Sequence, residues 1–306
     1  MNKSRECRTM VIAGANGFMG RYLSRYFLES EWRVFGIARR ANGLAHGVEF
    51  LQWDGENLAK EWQECLAGAD VLINLAGRTV DCRYNDENKR QIIDSRVNST
   101  KVLGEAVAAC EHPPRVWMNA STATIYADTR VKAQTENEGV IGEGFSVEVA
   151  KAWEDAFEKA DVGDDVRKLV LRTSIVMGDE KGTVLDVLRG LAKKYLGGKM
   201  SDGGQMVSWM HIDDVCRAVD WMIENDAARG VYNLATPEAL TNAEMMDCVR
   251  GQVGASFGLP ASRWMLQLGA FFMRTEVELI LKSRWVYPER LIEEGFEFKY
   301  KSFDEI

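Results

Sequence analysis

The chain has 306 residues, of which 46% are apolar, and a formal net charge of −8 at pH 7. This length is sufficient for one large α/β unit or two domains, and the acidic balance excludes the basic surface that a nucleic-acid partner requires. The six cysteines are widely separated and include no Cys-x-x-Cys pair. We therefore expect reduced thiols, with neither disulfides nor a metal site.

Signals for export and for membrane insertion are weak. The polar residues 1–8 lack the apolar core of a signal peptide, and no apolar run approaches the roughly 20 residues of a membrane span. The strongest run, residues 264–272, is short and is followed by Arg274, so a buried helix is predicted there. We expect a cytoplasmic protein without a membrane partner, and the sequence leaves a homodimer open.

The first predicted strand, residues 10–13, leads into a glycine-rich turn and then a helix. Gly14 permits the tight turn, Gly17 lets a pyrophosphate approach the backbone, and Gly20 lets the helix pack closely on the strand. Free N–H groups at the helix start favour an anion. The same turn contains three further predicted cofactor-binding residues: Asn16, Phe18 and Met19. This segment predicts a dinucleotide site, although glycines alone also fit a simple strand-to-helix turn.

The second predicted strand, residues 33–38, is followed by Arg39 and Arg40. In a dinucleotide-binding fold the residue just past this strand meets the adenosine ribose, where an acid would bond the two ribose hydroxyls. Arg39 instead suits a 2′-phosphate, because its planar fork binds phosphate through two hydrogen bonds. The sequence therefore favours NADP(H) over NAD(H), although paired arginines also fit a solvated strand end.

Strands and helices alternate along the rest of the chain, which predicts a parallel sheet covered on both faces. Further strands are predicted at residues 48–54, 69–77, 115–120, 166–172 and 230–235. Helices are predicted at residues 57–66, 86–110, 147–160 and 213–224, and over most of 241–306. We assign 1–180 and 205–236 to a Rossmann-type, doubly wound dinucleotide-binding domain, and 181–204 and 237–306 to a smaller, mainly helical substrate lobe.

Ligands of an open parallel sheet bind outside the carboxyl ends of its strands. Five more predicted cofactor-binding residues follow such ends: Asp54, Leu75, Ala76, Gly77 and Arg78. Residues 120–126 and 173–178 follow the fifth and sixth strands, so the fold would bring them to the same edge. We expect a small-molecule substrate at this edge.

Five segments form an ordered set of motifs: residues 14–20, Asn-Leu-Ala-Gly at 74–77, Arg-Val-Asn-Ser-Thr at 96–100, Ala-Ser-Thr-Ala-Thr-Ile-Tyr at 120–126 and Ser-Trp-Met-His-Ile-Asp-Asp-Val at 208–215. The set resembles the extended short-chain dehydrogenases/reductases, the superfamily of nucleotide-sugar epimerases and dehydratases. With the tail at 288–298, the chain is similar to an atypical "epimerase family protein" subfamily, whose C-terminal domain has no assigned function. The resemblance implies an α/β fold and NADP(H) binding, without a settled substrate.

Typical members of that superfamily have Tyr-x-x-x-Lys on the helix after the fifth strand. The Lys lowers the pKa of the Tyr, which exchanges a proton with the substrate. Alignment of the present helix on residues 151–154 puts Ser146 and Ala150 at the Tyr and Lys positions. Lys151 is one residue away, and one helical step turns a side chain by about 100°. The usual proton relay is therefore absent from its usual place.

Other side chains near the strand ends are candidates for catalysis. The resemblance places Thr122 where a hydroxyl holds the substrate oxygen, with Ser121 as a weaker alternative. Tyr126 lies four residues further on and is our candidate for the missing acid, although a phenol at a strand end also has a structural interpretation. Arg172 would neutralise an anionic group or pair with a nearby carboxylate.

His211 is a candidate general acid or base, because the pKa of an unperturbed histidine lies near neutrality. Its neighbours instead favour a structural residue at a helix start, and we predict that Asp213 caps that helix. As a whole, the sequence predicts an NADP(H)-dependent oxidoreductase or epimerase-like enzyme acting on a small carbonyl or sugar-like substrate. The alternative is a non-catalytic NADP(H)-binding sensor or regulatory protein, which the missing Tyr-x-x-x-Lys pair favours.

Overall fold

The structure, a computed structural model, describes residues 7–267 and 278–306. Its centre is a seven-stranded sheet with the strands β1 (Thr9–Ala13), β2 (Arg33–Ala38), β3 (Glu49–Gln52), β4 (Val71–Asn74), β5 (Val116–Thr122), β6 (Arg167–Thr173) and β10 (Gly230–Leu234). Their order in the sheet is β10-β6-β5-β4-β1-β2-β3, and every neighbouring pair is parallel. The predicted parallel sheet is confirmed.

Helices cover both faces of this sheet: α1 (Phe18–Glu29), α2 (Lys60–Leu66), α3 (Asp86–Ala108), α4 (Phe145–Glu158) and α6 (Ile212–Glu224). One apolar core joins the sheet to α1 and α6 through side chains such as Phe27 and Met222. A second core joins the other face to α2, α3 and α4 through Trp62, Leu103 and Phe157. Because both faces are covered, β4 is buried at every position. This is the predicted doubly wound α/β architecture.

The strand order reverses at the centre of the sheet, where β1 lies beside β4. Such a reversal leaves a crevice outside the carboxyl ends of the two strands, which is where ligands bind in open α/β sheets. The register pairs Ala13 with Asn74, the last residues of β1 and β4. The glycine turn after β1 therefore faces the 75–78 segment after β4.

A smaller group of elements packs beside the sheet: β7 (Ile175–Met177), α5 (Val184–Lys193), β8 (Met206–Val207), β9 (Trp209–His211), β11 (Leu240–Thr241) and α7 (Asn242–Val253). β7 pairs with β9 in parallel, and β8 pairs with β11 in antiparallel. Trp209, Met246 and Phe303 share the core of this group. After α7 the described chain includes two short helices, Glu278–Leu281 and Glu289–Glu293. The predicted boundary between two domains stays a prediction.

The predicted buried helix at residues 264–272 lies only partly within the described chain. Trp264 is 66% exposed and Met265 is 43% exposed, so the prediction of burial is wrong for these two side chains. Residues 268–272 lie outside the described residues. Within residues 7–267 and 278–306, none of the helices combines the length and apolar character that a membrane crossing requires.

Candidate functional site

The turn between β1 and α1 is a backbone cradle. Gly14 has a φ of +79°, in the left-handed region that favours glycine. A Cβ on Gly14 would lie 3.0 Å from the carbonyl carbon of Leu75, and a Cβ on Gly20 would lie 2.5 Å from the carbonyl oxygen of Gly14. Gly17, which precedes α1, offers no side-chain cap to the first N–H groups of the helix. The turn therefore presents unobstructed backbone donors to an anion.

A cleft of about 240 Å³, here called the adenosine cleft, opens beside this turn. It is lined by nine predicted cofactor-binding residues: Gly14, Asn16, Gly17, Arg39, Asp54, Leu75, Ala76, Gly77 and Arg78. Arg39 is exposed, and no carboxylate of the described residues forms an ion pair with it. Arg40 is also exposed but does not line the cleft. The Arg39 guanidinium is therefore available to a phosphate at the cleft wall.

Asp54 is held by its own turn after β3. Its Oδ1 accepts the backbone N–H groups of Glu56 and Asn57 at 2.8 and 2.9 Å, and its Oδ2 accepts the Asn57 side-chain amide at 2.7 Å. The Asn57 side chain and these backbone amides lower the pKa of Asp54. The carboxylate is therefore ionised and fixed at the rim of the adenosine cleft.

A second cleft of about 580 Å³, here called the inner cleft, adjoins the first. Phe18, Met19 and Gly20 line it, so all twelve predicted cofactor-binding residues lie in one cleft or the other. The inner cleft continues to the carboxyl ends of β5 and β6, where Thr122 and Thr173 line it. The fold thus brings the predicted binding residues beside the predicted catalytic hydroxyl, and their roles stay predictions.

A buried polar cluster supports the wall between the two clefts. The Asn74 side-chain amide donates to Asn119 Oδ1 at 2.7 Å and to Thr100 Oγ1 at 3.1 Å. Its Oδ1 accepts the backbone N–H of Ala76 at 3.0 Å, and Trp153 Nε1 donates to Thr100 Oγ1 at 3.1 Å. The cluster ties β4, β5, α3 and α4 together and fixes the 75–78 turn. The sequence analysis does not predict this cluster.

Thr122 and Ser146 line the inner cleft. Thr122 Oγ1 accepts the backbone N–H of Thr124 at 3.2 Å and lies 3.0 Å from Thr124 Oγ1. Ser146 is buried, and its Oγ has no hydrogen-bond partner among the described residues. Ala150 is buried without lining the cleft, and Lys151 is exposed. Ser146 therefore lies at the wall of the inner cleft with its hydroxyl covered, on the helix that bears the Tyr in typical members.

Tyr126 lines neither cleft and belongs to a buried network that reaches the inner cleft only through Ser121. Its hydroxyl donates to Asn233 Oδ1 and accepts from Arg172 Nη1, both at 2.9 Å, and burial raises its pKa. Arg172 donates to both carboxylate oxygens of Glu154 at 2.9 and 2.8 Å, and Ser121 Oγ donates to the same carboxylate. This placement argues against the predicted acid role of Tyr126, because its hydroxyl is already engaged. Arg172 pairs with a carboxylate, the second of its two interpretations.

His211 is the residue that caps α6, and Asp213 is not. His211 Nδ1 accepts the backbone N–H of Asp213 at 3.2 Å, and the His211 ring packs on Tyr300 with centroids 3.9 Å apart. Burial lowers the pKa of His211. The Asp213 carboxylate instead accepts hydrogen bonds from Tyr300 Oη and Lys299 Nζ, both at 3.1 Å. The prediction of Asp213 as the cap is wrong, because the His211 imidazole, and not the Asp213 carboxylate, accepts the free backbone N–H at the start of α6.

The sequence relatives of the chain are epimerase family proteins. Residues 10–235 match the NAD dependent epimerase/dehydratase family, and residues 261–306 match a domain of unknown function, DUF1731. An epimerase family protein of Staphylococcus epidermidis is 28% identical over 294 residues, which are 95% of this chain and 95% of that protein. One from Mycobacterium leprae is 29% identical over 303 residues, which are 97% of this chain and 93% of that protein.

Solved structures share the architecture. The crystal structure of human epimerase family protein SDR39U1 (isoform 2) with NADPH has a TM-score of 0.85 at 24% identity, and covers 97% of this chain and 96% of that chain. The nucleoside-diphosphate sugar epimerase from Corynebacterium glutamicum has a TM-score of 0.77 at 29% identity, and covers 98% of this chain and 57% of that chain. The predicted resemblance is confirmed, and the match spans most of the chain. The protein belongs to the NAD dependent epimerase/dehydratase family.

Proposed function

We propose that the protein binds NADP(H) and transfers a hydride between the nicotinamide and a small carbonyl or sugar-like substrate. One observation is central: the adenosine cleft and the inner cleft meet along Gly14, Gly17 and Gly77, so a glycine cradle leads directly to the part of the inner cleft that Thr122 and Ser146 line. Such a continuous groove suits an extended dinucleotide with its reactive end beside polar side chains.

The residues present fit the cofactor. A Cβ on Gly20 would press on the turn backbone, so this glycine lets the helix pack closely, and Gly17 has no side chain to obstruct the pyrophosphate. Arg39 favours a 2′-phosphate because it lines the adenosine cleft without a carboxylate partner among the described residues. The solved neighbour that was crystallised with NADPH supports the same choice.

The chain's own hydroxyls would position the substrate. When bound, the nicotinamide supplies the hydride that a carbonyl carbon accepts, while the carbonyl oxygen takes one proton. The proposed role of Thr122 Oγ1 is to donate a hydrogen bond to that oxygen, and Ser146 Oγ provides a second donor without a competing partner among the described residues. Neither hydroxyl is an acid at neutral pH, so water in the cleft would supply the proton through them.

A non-catalytic NADP(H)-binding protein is the second candidate. It is favoured by Ser146 and Ala150 at the positions of the usual Tyr and Lys, and by the withdrawal of Tyr126 into a buried network. In this case cofactor binding would alter association with a partner or closure of the cleft, without any substrate being reduced.

Deuterium transfer distinguishes the two candidates. The protein is incubated with NADPH labelled with deuterium at the transferable position and with a panel of small aldehydes and ketones, and products are analysed by mass spectrometry. We expect deuterated alcohol, and we expect Thr122→Val to lower its rate by roughly 100-fold, the usual effect of losing one donor to a developing oxyanion. Thr9→Val, the same substitution at the amino end of β1 and outside both clefts, should have no effect. Tight NADPH binding with no transfer to any compound would favour the non-catalytic candidate.

A further inference from the structure

The inner cleft has a charge opposite to that of the whole protein. Its described lining includes Arg78 and Arg96 and no carboxylate, although the chain has a net charge of −8. The Arg78 guanidinium is bound by neutral amides, since it donates to Asn88 Oδ1 at 2.8 Å and to Gln91 Oε1. Neither arginine forms an ion pair within the described residues, so the lining of the inner cleft is positively charged.

Arg96 is held rigidly at the wall of this cleft. Its Nη1 donates to the backbone carbonyls of Arg78 and Ile92, both at 3.0 Å, and its guanidinium lies 5.0 Å from the Trp153 ring centroid. The guanidinium carbon is 3.1 Å from the point where a Cβ on Gly77 would lie, so the guanidinium packs tightly on the Gly77 backbone. Burial lowers the pKa of Arg96 to about 10, and the group is still charged at neutral pH.

The remaining donors of Arg96 are unpaired. Nε and Nη2 have no hydrogen-bond partner among the described residues, and they lie side by side on the guanidinium, in the arrangement that binds a carboxylate through two hydrogen bonds. A partly buried cation without a counterion is unfavourable, so an anionic ligand at these donors would bind with a large gain. The unpartnered Ser146 hydroxyl, buried in the same cleft, is a second group in need of a polar ligand atom.

We propose that the substrate is a small carbonyl compound bearing a carboxylate, which Arg96 binds through Nε and Nη2 while Thr122 and Ser146 bind the carbonyl oxygen. This inference rests on the proposed function and defines its substrate class. The two oxygens of a carboxylate match the two donors Nε and Nη2, whereas a phosphate would leave its third oxygen without a donor from Arg96. The pyrophosphate of the cofactor has its own donors at the Gly14–Gly20 turn.

Binding is measured by calorimetry on the protein saturated with NADP⁺, with pyruvate and levulinate as probes and their neutral amides, pyruvamide and levulinamide, as matched controls. These two acids separate carboxylate and carbonyl by a short and a longer spacer. We expect at least one acid to bind about tenfold or more tightly than its amide, in line with a charge-assisted bidentate pair. Arg96→Gln should abolish that difference, Arg96→Lys should restore part of it, and Arg90→Gln, an exposed change on the same helix, should leave it intact.

Three results would overturn the inference. Equal binding of acid and amide in both pairs would exclude a carboxylate site, and this comparison needs no variant, so it decides even if Arg96→Gln fails to fold. A loss of NADPH affinity of more than about tenfold in Arg96→Gln, with the fold intact by circular dichroism, would assign Arg96 to the cofactor. Absence of NADPH binding by the unmodified protein would remove the proposed function and the inference with it, whereas reduction of neutral carbonyl compounds alone would remove only the inference.

Discussion

Among individual residues, Arg172 and Glu154 form an ion pair that is largely buried. The side chains are only 11% and 15% exposed, so removal of one partner leaves a charge in a poorly solvated place. Arg172→Met should therefore lower the free energy of unfolding by about 3 kcal/mol. Urea denaturation measures this, with Arg90→Met as the control. Arg90 and Glu87 form an exposed pair, for which a change below about 1 kcal/mol is expected. Equal effects would mean that the buried pair does not stabilise the fold.

Tyr126 provides a second test at this scale, because its two hydrogen bonds make it a structural residue in our account. Tyr126→Phe should lower the free energy of unfolding by roughly 1–2 kcal/mol, the usual loss for a buried hydroxyl. Its rate of deuterium transfer from NADPH should equal that of the unmodified protein. A tenfold or larger fall in rate, with NADPH affinity preserved, would return Tyr126 to the role of acid.

The sequence could not have shown where these side chains point. Thr122 and Tyr126 are four residues apart around a strand end, and only the turn between them directs one hydroxyl to the cleft and the other to Asn233. The position of Glu154 near this site could be predicted, because Glu154 lies one helical turn after Ala150 on the same face of α4. The lack of a partner for the Ser146 hydroxyl could not be predicted, since a missing hydrogen bond depends on everything that surrounds the atom.

At the scale of elements, the junction of β1 and α1 depends on close packing. A Cβ on Gly20 would lie 2.5 Å from the Gly14 carbonyl oxygen and 2.7 Å from the Ala15 Cα, so Gly20→Ala should push the helix away from the strand. We expect lower stability and at least about tenfold weaker NADPH binding. Gly190→Ala in α5 is the control, because a Cβ there meets nothing within 4 Å and should add up to about 1 kcal/mol of helix stability. Unchanged NADPH affinity in Gly20→Ala would contradict the proposal that the turn between β1 and α1 binds the cofactor.

Most elements were predictable because the pattern that encodes them is local. Buried strands such as β2 appear as unbroken apolar runs between turns, and its predicted bounds are those observed. The first and last residues of an element were less predictable where a side chain hydrogen-bonds to the neighbouring backbone. α2 begins at Lys60 and not at Asn57, because Asp54 holds the amides of Glu56 and Asn57 in a turn.

At the scale of the whole molecule, the C-terminal segment is fastened to the sheet domain by a buried acid. Asp214 is fully buried in α6, and its carboxylate accepts the backbone N–H groups of Lys299 and Tyr300 as well as Arg217 Nη1. Asp214→Ala should leave these donors unpaired and lower the free energy of unfolding by about 3 kcal/mol. It should also speed amide hydrogen exchange at residues 299–300. Asp226→Ala, at a carboxylate that is 83% exposed, is the control, and equal exchange in both variants would contradict this account.

The proposed NADP(H) site is tested by a fluorescence titration with NADPH and with NADH. The unmodified protein should bind NADPH about tenfold or more tightly than NADH. Arg39→Ala should abolish that preference, while Arg40→Ala, a neighbouring exposed arginine outside the adenosine cleft, should retain it. Equal affinity for both nucleotides in the unmodified protein, or no binding of either at micromolar concentration, would contradict the account.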